Sequence, residues 1–232
     1  MNSSLHSSAE ITATRQKIAK LGSLMYQRNL TDSAGGNIST RVGEVVCITP
    51  RYAGSKYRWE LSPEQILVCD RQGNKIEGDG EISREAKVHL ALLNEFPDHL
   101  AVVHGHARYA LAFCASGIPI EPVMEDTLKL GTVEVCQFAP AHSTDLSKFI
   151  LEKMHLKTAA LAKGSAGVLA PWHGLFVLGR DLDMAYDSFE RIDGNAHIIL
   201  MNSILVSAPD RAGGLLTRTA ELRRGMAKYS KE

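Results

Sequence analysis

"LAVVHGHARYALAF", Leu100 to Phe113, sets two histidines one residue apart directly after a run of small and β-branched apolar residues. Ala101, Val102 and Val103 read as a strand, and residues i and i+2 of a strand share a face, so His104 and His106 are expected to point the same way. Two neutral imidazoles gain little from each other and two protonated ones repel, unless a cation or an anionic partner lies between them. Gly105 fits a place where another group must approach the backbone closely. Two partly exposed histidines at a strand end would explain an H-x-H equally well, so a metal site needs a third ligand.

Working outward, helical and strand-like periods alternate along the chain. Residues 9 to 29 carry Ile11, Ile18, Leu21, Leu24 and Met25 at helical spacing, which predicts a first helix. "TDSAGGNIST" is turn-rich, and "EVVCITP" and "QILVCD" read as strands of a meander. "SREAKVHLALLNEF" reads as a helix capped by Ser83, "DLSKFILEKM" as a helix after Ser143 and Thr144, and "DLDMAYDSFERIDGNAHIILMNSIL" as a long amphipathic helix. Interleaved helices and strands make this an α/β or α+β sheet protein, read as one domain because no linker appears in the 232 residues.

Composition bounds the partners. Hydrophobic residues are 44% and charged residues 22% of the chain, the balance of a globular protein with a sizeable core. Lys plus Arg and Asp plus Glu both number 26, so no basic field draws the protein to nucleic acid or anionic membranes, and small molecules are the expected partners. The N-terminus is polar and no apolar run approaches the ~20 residues that span a bilayer, which predicts a soluble, cytoplasmic protein. Cys47, Cys69, Cys114 and Cys136 form no C-x-x-C pair and read as small core residues in a reducing compartment.

The third ligand candidate is His173 in "AGVLAPWHGLFVLGRD", where Val168, Leu169, Leu175, Phe176 and Val177 predict a buried strand pair or a kinked strand. A polar ring in such surroundings needs a partner, and a metal would supply one. His6, His99, His142, His155 and His197 have no comparable context and read as surface or satisfied helix residues. His89 follows Glu85 by four residues, so a side-chain contact or a supporting role behind the ligands is expected of it, not ligation. Glu85 itself could be a helix N-terminal carboxylate stabilised by the dipole, and the glycines of "AGGNIS" could form only a turn, although such turns also present backbone N–H groups to anions.

The order "GGNIS" (35–39), "ITP" (48–50), "SRE" (83–85), "HGH" (104–106) and "HGLFVLG" (173–179) resembles the class II aldolase/adducin family over most of the chain. The resemblance implies a single-domain layered αβα sandwich, residues 1–232, around a central, largely antiparallel sheet. It implies zinc, or another divalent cation, on His104, His106 and His173. Glu85 matches the family's acid/base residue, and Gly36, Asn37, Thr49 and Ser83 match its phosphate or substrate-anion site, next to Arg84. Three imidazoles leave a cation with open positions for adjacent hydroxyl and carbonyl oxygens, where a developing enediolate is stabilised while a carboxylate moves the proton. The implied activity is a zinc-dependent carbon–carbon lyase, an aldolase acting on a small hydroxylated keto compound, a sugar phosphate by class. Decarboxylation of a 3-oxo acid phosphate is the alternative, then 4-epimerisation of a sugar phosphate, then a non-catalytic adducin-like interaction module. A homotetramer with active sites near subunit interfaces is also implied.

The chain departs from the family pattern in three places. "TPRYAGSK" expands a Thr-Pro-x-Gly turn, and Arg84 replaces the second serine of a Ser-Ser-Glu. Aldolase members use a tyrosine as proton donor in the segment that reads "VCQFAPAHS" here, and Phe138 cannot donate. His142, Asp126 or Tyr229 are the candidates for that role, and Glu125 and Asp126 fall near the acid of epimerase members.

Overall fold

The computed structural model describes residues 3–207 and residue 221. A first helix, α1 (Ser3–Gln27), leads into the meander β1 (Asn37–Val42), β2 (Val45–Ile48), β3 (Leu67–Asp70) and β4 (Lys75–Glu77). Helix α2 (Ala86–Glu95), strand β5 (Ala101–Gly105), helix α3 (Ala110–Ser116) and the short β6 (Glu134–Val135) follow. The chain continues through α4 (Thr144–His155), α5 (Thr158–Ala162), the pair β7 (Ser165–Ala170) and β8 (Gly174–Gly179), and α6 (Leu182–Val206). The strands form one sheet in the order β4-β3-β2-β1-β5-β8-β7-β6, in which every pairing is antiparallel except β6 with β7. This is the α/β sandwich that the resemblance implied.

The period of two along the central strands explains the three layers. Ala101, Val103, Leu175 and Val177 point into one core with Ile18, Met25, Phe189 and Ile192, under α1, α3 and α6. Val102, Phe176 and Leu178 point into the other with Val88, Leu92, Leu146 and Ile150, under α2 and α4. His104 shares the parity of Val102 and therefore faces the α2 and α4 layer. Gly105 faces the other way, and what approaches it closely is protein: a Cβ there would stand 2.6 Å from the Leu30 carbonyl oxygen and 3.1 Å from Phe189 Cζ. All four cysteines are free and buried, as core residues should be, and burial raises their thiol pKa values to about 11 or 12.

One predicted boundary moves. Helix α2 begins at Ala86 with Glu85 as its cap residue, so Ser83 lies outside it; the Ser83 hydroxyl instead accepts the Asn37 side-chain amide at 2.9 Å and the Glu85 N–H at 3.3 Å. The start of α3 is capped across the fold. Asp193 of α6, buried, accepts the Tyr109 and Ala110 N–H groups on its Oδ1 at 2.8 and 2.9 Å. Asp193→Ala is expected to lower stability by about 1–3 kcal/mol or somewhat more, because the buried Ala110 N–H and the part-buried Tyr109 N–H both lose their acceptor. Asp193→Asn keeps that oxygen and should lose far less. Urea unfolding of the two variants checks this, and equal losses would show that the charge, not the acceptor, matters.

Candidate metal centre

Strand register brings the first imidazole into place: His104 stands opposite Asn37 of β1 and Phe176 of β8. Its ring stacks on Phe176 at 3.9 Å, and its Nδ1 donates to the Leu175 carbonyl at 2.9 Å, which leaves Nε2 as the bare lone pair. That Nε2 is buried with no hydrogen bond in the protein. His106 lies just past the end of β5, and its Nδ1 donates to Asp32 Oδ1 at 3.0 Å, which again leaves Nε2 free. His173 sits in the tight turn between β7 and β8, after Trp172, which takes the left-handed conformation at φ 55°. One nitrogen from each ring lies within 4.8 Å of the other two.

The glycine after His173 follows from this crowding. A Cβ at Gly174 would stand 2.6 Å from the Gly105 carbonyl oxygen and 3.0 Å from His104 Cε1. A divalent metal fits the donors: burial disfavours protonation of His104, holding its pKa below the ordinary histidine value, and a carbonyl and a carboxylate behind two rings fix their tautomers. His104, His106 and His173 are thus brought together as the sequence predicted.

Glu85 lies against the same rings. Its Oε1 is 2.7 Å from His173 Nε2 and its Oε2 3.3 Å from His104 Nε2, and the residue is 6% exposed. Burial alone would push its pKa up, but His104 and His173 outweigh burial and hold the carboxyl below the usual carboxylate range. The carboxyl thus lies buried beside the cluster and at the cleft lining, where it can exchange a proton with a bound molecule.

A cleft of about 250 Å³ opens beside these groups. Gly36, Asn37, Ser83 and Arg84 line it, together with Glu85, His106 and His173. Gly36 has φ 106°, and a Cβ there would be 2.5 Å from Thr31 Oγ1, so the turn admits glycine alone. Asn37 gives its amide N–H to Ser83 and leaves its amide oxygen unpartnered. Thr49 does not reach the cleft: it is fully buried, and its hydroxyl accepts the Ile38 N–H at 3.1 Å, so it ties β1 to the residue after β2.

The remaining histidines divide. His99 bonds the Leu161 carbonyl oxygen at 3.1 Å, His155 meets Glu95 at 3.1 Å, and His197 stacks on Tyr109, so these three are satisfied as expected. The side chain of His6 lies outside the described residues. His89 finds its partner on β1, not on Glu85: its Nδ1 is 2.7 Å from Ser39 Oγ. His142 is the exception to the surface reading, since it lines the cleft with Nδ1 buried, unpartnered and 3.8 Å from Glu85 Oε1. Of the other candidate donors, Asp126 pairs with Arg191 at 2.6 Å away from the cleft lining, and Tyr229 lies outside the described residues. Arg51, Tyr52 and Asp32 were not singled out by sequence. Arg51 and Tyr52 belong to the expanded turn, which carried the signal, whereas nothing local marks Asp32.

Sheet, histidine cluster and buried carboxylate together define a class: α/β folds that gather three histidines able to hold a metal ion, with a buried carboxylate, at the ends of their central strands. The chain belongs to the class II aldolase and adducin family, whose profile, described as "Class II Aldolase and Adducin N-terminal domain", matches residues 16–200. It is 31% identical over 193 residues to the 3-oxo-tetronate 4-phosphate decarboxylase of Haemophilus influenzae, covering 80% of this chain and 86% of that one. It is 27% identical over 187 residues to an L-fuculose phosphate aldolase of Methanococcus maripaludis, covering 80% and 96%. A solved L-fuculose 1-phosphate aldolase has the same fold, with a TM-score of 0.71 at 22% identity over 90% of this chain and 95% of that one. Among the described residues, no helix is long and apolar enough to cross a membrane.

Proposed function

We propose that the protein is a divalent-metal-dependent carbon–carbon lyase, with zinc on His104, His106 and His173, that cleaves a small hydroxylated keto compound carrying a phosphate. The observation that carries this reading is the buried Glu85 carboxyl held 2.7 Å from His173 and 3.3 Å from His104 in the lining of the cleft. The bound ion would supply a Lewis acid for negative charge that develops on adjacent substrate oxygens. Glu85 moves a proton at the carbon next to the carbonyl, and His142, facing it across the cleft, handles the proton of the hydroxyl at the bond that breaks. Asn37 offers its free amide oxygen to a substrate hydroxyl, while Ser83, Arg84 and Arg51 face the anionic end. We further propose that the enzyme is cytoplasmic and homotetrameric, and that residues 1–232 act as one domain.

Decarboxylation of a 3-oxo acid phosphate is the second reading, and two observations favour it. Phe138 packs edge-on against Trp172, exposed, and cannot take up the hydroxyl proton that must leave as an aldehyde departs. Arg84, without an ion-pair partner among the described residues, and Arg51, paired with Glu81 at 2.7 Å, both line the cleft and offer two guanidinium groups to a carboxylate and a phosphate. Purified, metal-loaded protein screened against sugar phosphates and oxo-acid phosphates, with aldehyde and carbon dioxide detected separately, decides: aldehyde selects the aldolase and carbon dioxide the decarboxylase. Neither product from any substrate would favour the non-catalytic reading.

Arg84 is exposed on the cleft wall and, among the described residues, has no ion-pair partner. Arg84→Ser is expected to raise KM for an anionic substrate by roughly tenfold to a hundredfold, the loss of about 1.5–3 kcal/mol from a charge-assisted hydrogen bond. An uncharged analogue should be affected far less, and equal losses would show that Arg84 shapes the loop and reads no charge.

A further inference from the structure

Asp32 stands behind the cleft at a junction that neither its sequence context nor the proposed reaction accounts for. Its Oδ1 accepts three N–H groups: the Ala34 amide at 2.7 Å, the Gly35 amide at 3.2 Å and the His106 ring Nδ1 at 3.0 Å. Its backbone carbonyl accepts the indole N–H of the fully buried Trp59 at 3.0 Å, which pins the residue from the expanded turn. Gly54 of that turn packs so closely that a Cβ on it would lie 2.6 Å from the same carbonyl oxygen. The His106 ring in turn lies on Gly35, where a Cβ would be 2.7 Å from Cε1 and 3.0 Å from Nε2. Asp32 is thus held from both sides, and its carboxylate is aimed at one nitrogen of one imidazole.

We propose that Asp32 is a positioning residue for the metal centre, fixing His106 as the Nδ1–H tautomer with its Nε2 lone pair turned to the shared space between the three rings. A carboxylate accepting from Nδ1–H makes the opposite nitrogen a stronger donor and stops the ring from rotating. His104 has a neutral carbonyl in this role, from Leu175, so Asp32 supplies the one anionic support of the cluster apart from Glu85 itself. Because the same oxygen also holds the Ala34 and Gly35 amides, the glycine-rich cleft wall and the metal ligand are fastened to a single atom. The inference rests on the three-histidine reading given above.

The test measures zinc affinity of the full-length protein by competition against a chromogenic chelator, for wild type, Asp32→Ala, Asp32→Asn and Trp59→Phe. Asp32→Ala is expected to weaken zinc binding by about 10- to 100-fold, the usual loss for an outer-shell partner. Asp32→Asn, which keeps an oxygen for the turn and for Nδ1–H but not the charge, should fall between Asp32→Ala and wild type. Trp59→Phe removes the indole bond to the Asp32 carbonyl but leaves the three N–H contacts on Oδ1, so it should lower thermal stability and weaken zinc binding by much less than Asp32→Ala. In the zinc-loaded wild type the His106 Nδ1 proton should give a slowly exchanging downfield NMR signal that Asp32→Ala removes. Zinc affinities of both Asp32 variants equal to wild type, or a loss in Trp59→Phe as large as in Asp32→Ala, would overturn the inference. Failure of the wild type itself to bind zinc would overturn the metal reading and this inference with it.

Discussion

Glu85→Gln is expected to lower kcat by about 10²- to 10⁴-fold while metal content and folding stay as in the wild type. The amide has nearly the size of the carboxylate, so the packing of a residue that is 6% exposed changes little. What it loses is the capacity to accept a proton. If the loss lies in an interaction made only in the transition state, kcat and kcat/KM should fall together with KM nearly unchanged. Stopped-assay kinetics with the substrate found in the product screen, alongside elemental analysis, make the comparison. A kcat within a few-fold of wild type would reduce Glu85 to a helix-terminus residue, and loss of metal along with activity would make it chiefly a ligand.

Loss of an imidazole should be as severe by a different route. His106→Ala and His173→Ala are each expected to weaken zinc binding by more than the ~100-fold that marks loss of an outer partner, and to abolish turnover at ordinary metal concentrations. Their side chains are only 15% and 11% exposed, yet both sit at strand ends beside the cleft, so the folded state should persist. His104→Ala is less clean, since that ring is fully buried and stacked on Phe176, and its removal also leaves a cavity. Dialysis against a chelator should mimic the substitutions and be reversed by added zinc, because a site on a preformed sheet contributes little to folding. Full metal occupancy in the triple His→Ala variant would sink the assignment.

The parts of this site visible in sequence were those set by local periods. The strand ahead of His104 announced itself by β-branched residues, and apolar runs on both sides of His173 predicted a buried strand pair or a kinked strand, of which the structure shows the β7–β8 pair. Glu85 and the cleft wall had bland readings that outweighed the functional ones, and the family resemblance, not spacing, singled them out. The misplaced cap at Ser83 shows why: its hydroxyl is engaged by Asn37, 46 residues away in the chain, and such a partner leaves no trace near the serine. Asp32 is separated from His106 by 74 residues. His142 read as a surface residue from its local context and became a donor candidate only through the family resemblance, since it sits at φ 68° in a loop that carries no repeating pattern. Thr49 matched a motif position while its hydroxyl was already taken by the Ile38 N–H.

The pairing of β5 with β1 on one side and β8 on the other also sets an order of events during synthesis. His104 meets Asn37 through one ladder and Phe176 through the next, so its two neighbours leave the ribosome far apart in time. Until β8 emerges, a nascent chain can show a metal ion only the His104 and His106 pair, with no third donor and no stacked Phe176 behind it. Such a two-donor site binds weakly and exchanges readily. The histidine that completes the cluster arrives on the turn that closes the β7–β8 hairpin, so tight binding is deferred until long-range pairing is done, the slow part of building such a sheet. On the proposed metal reading, ion capture would report that the sheet has closed in register, and a chain misfolded upstream of residue 173 would stay metal-poor and be distinguishable on that basis.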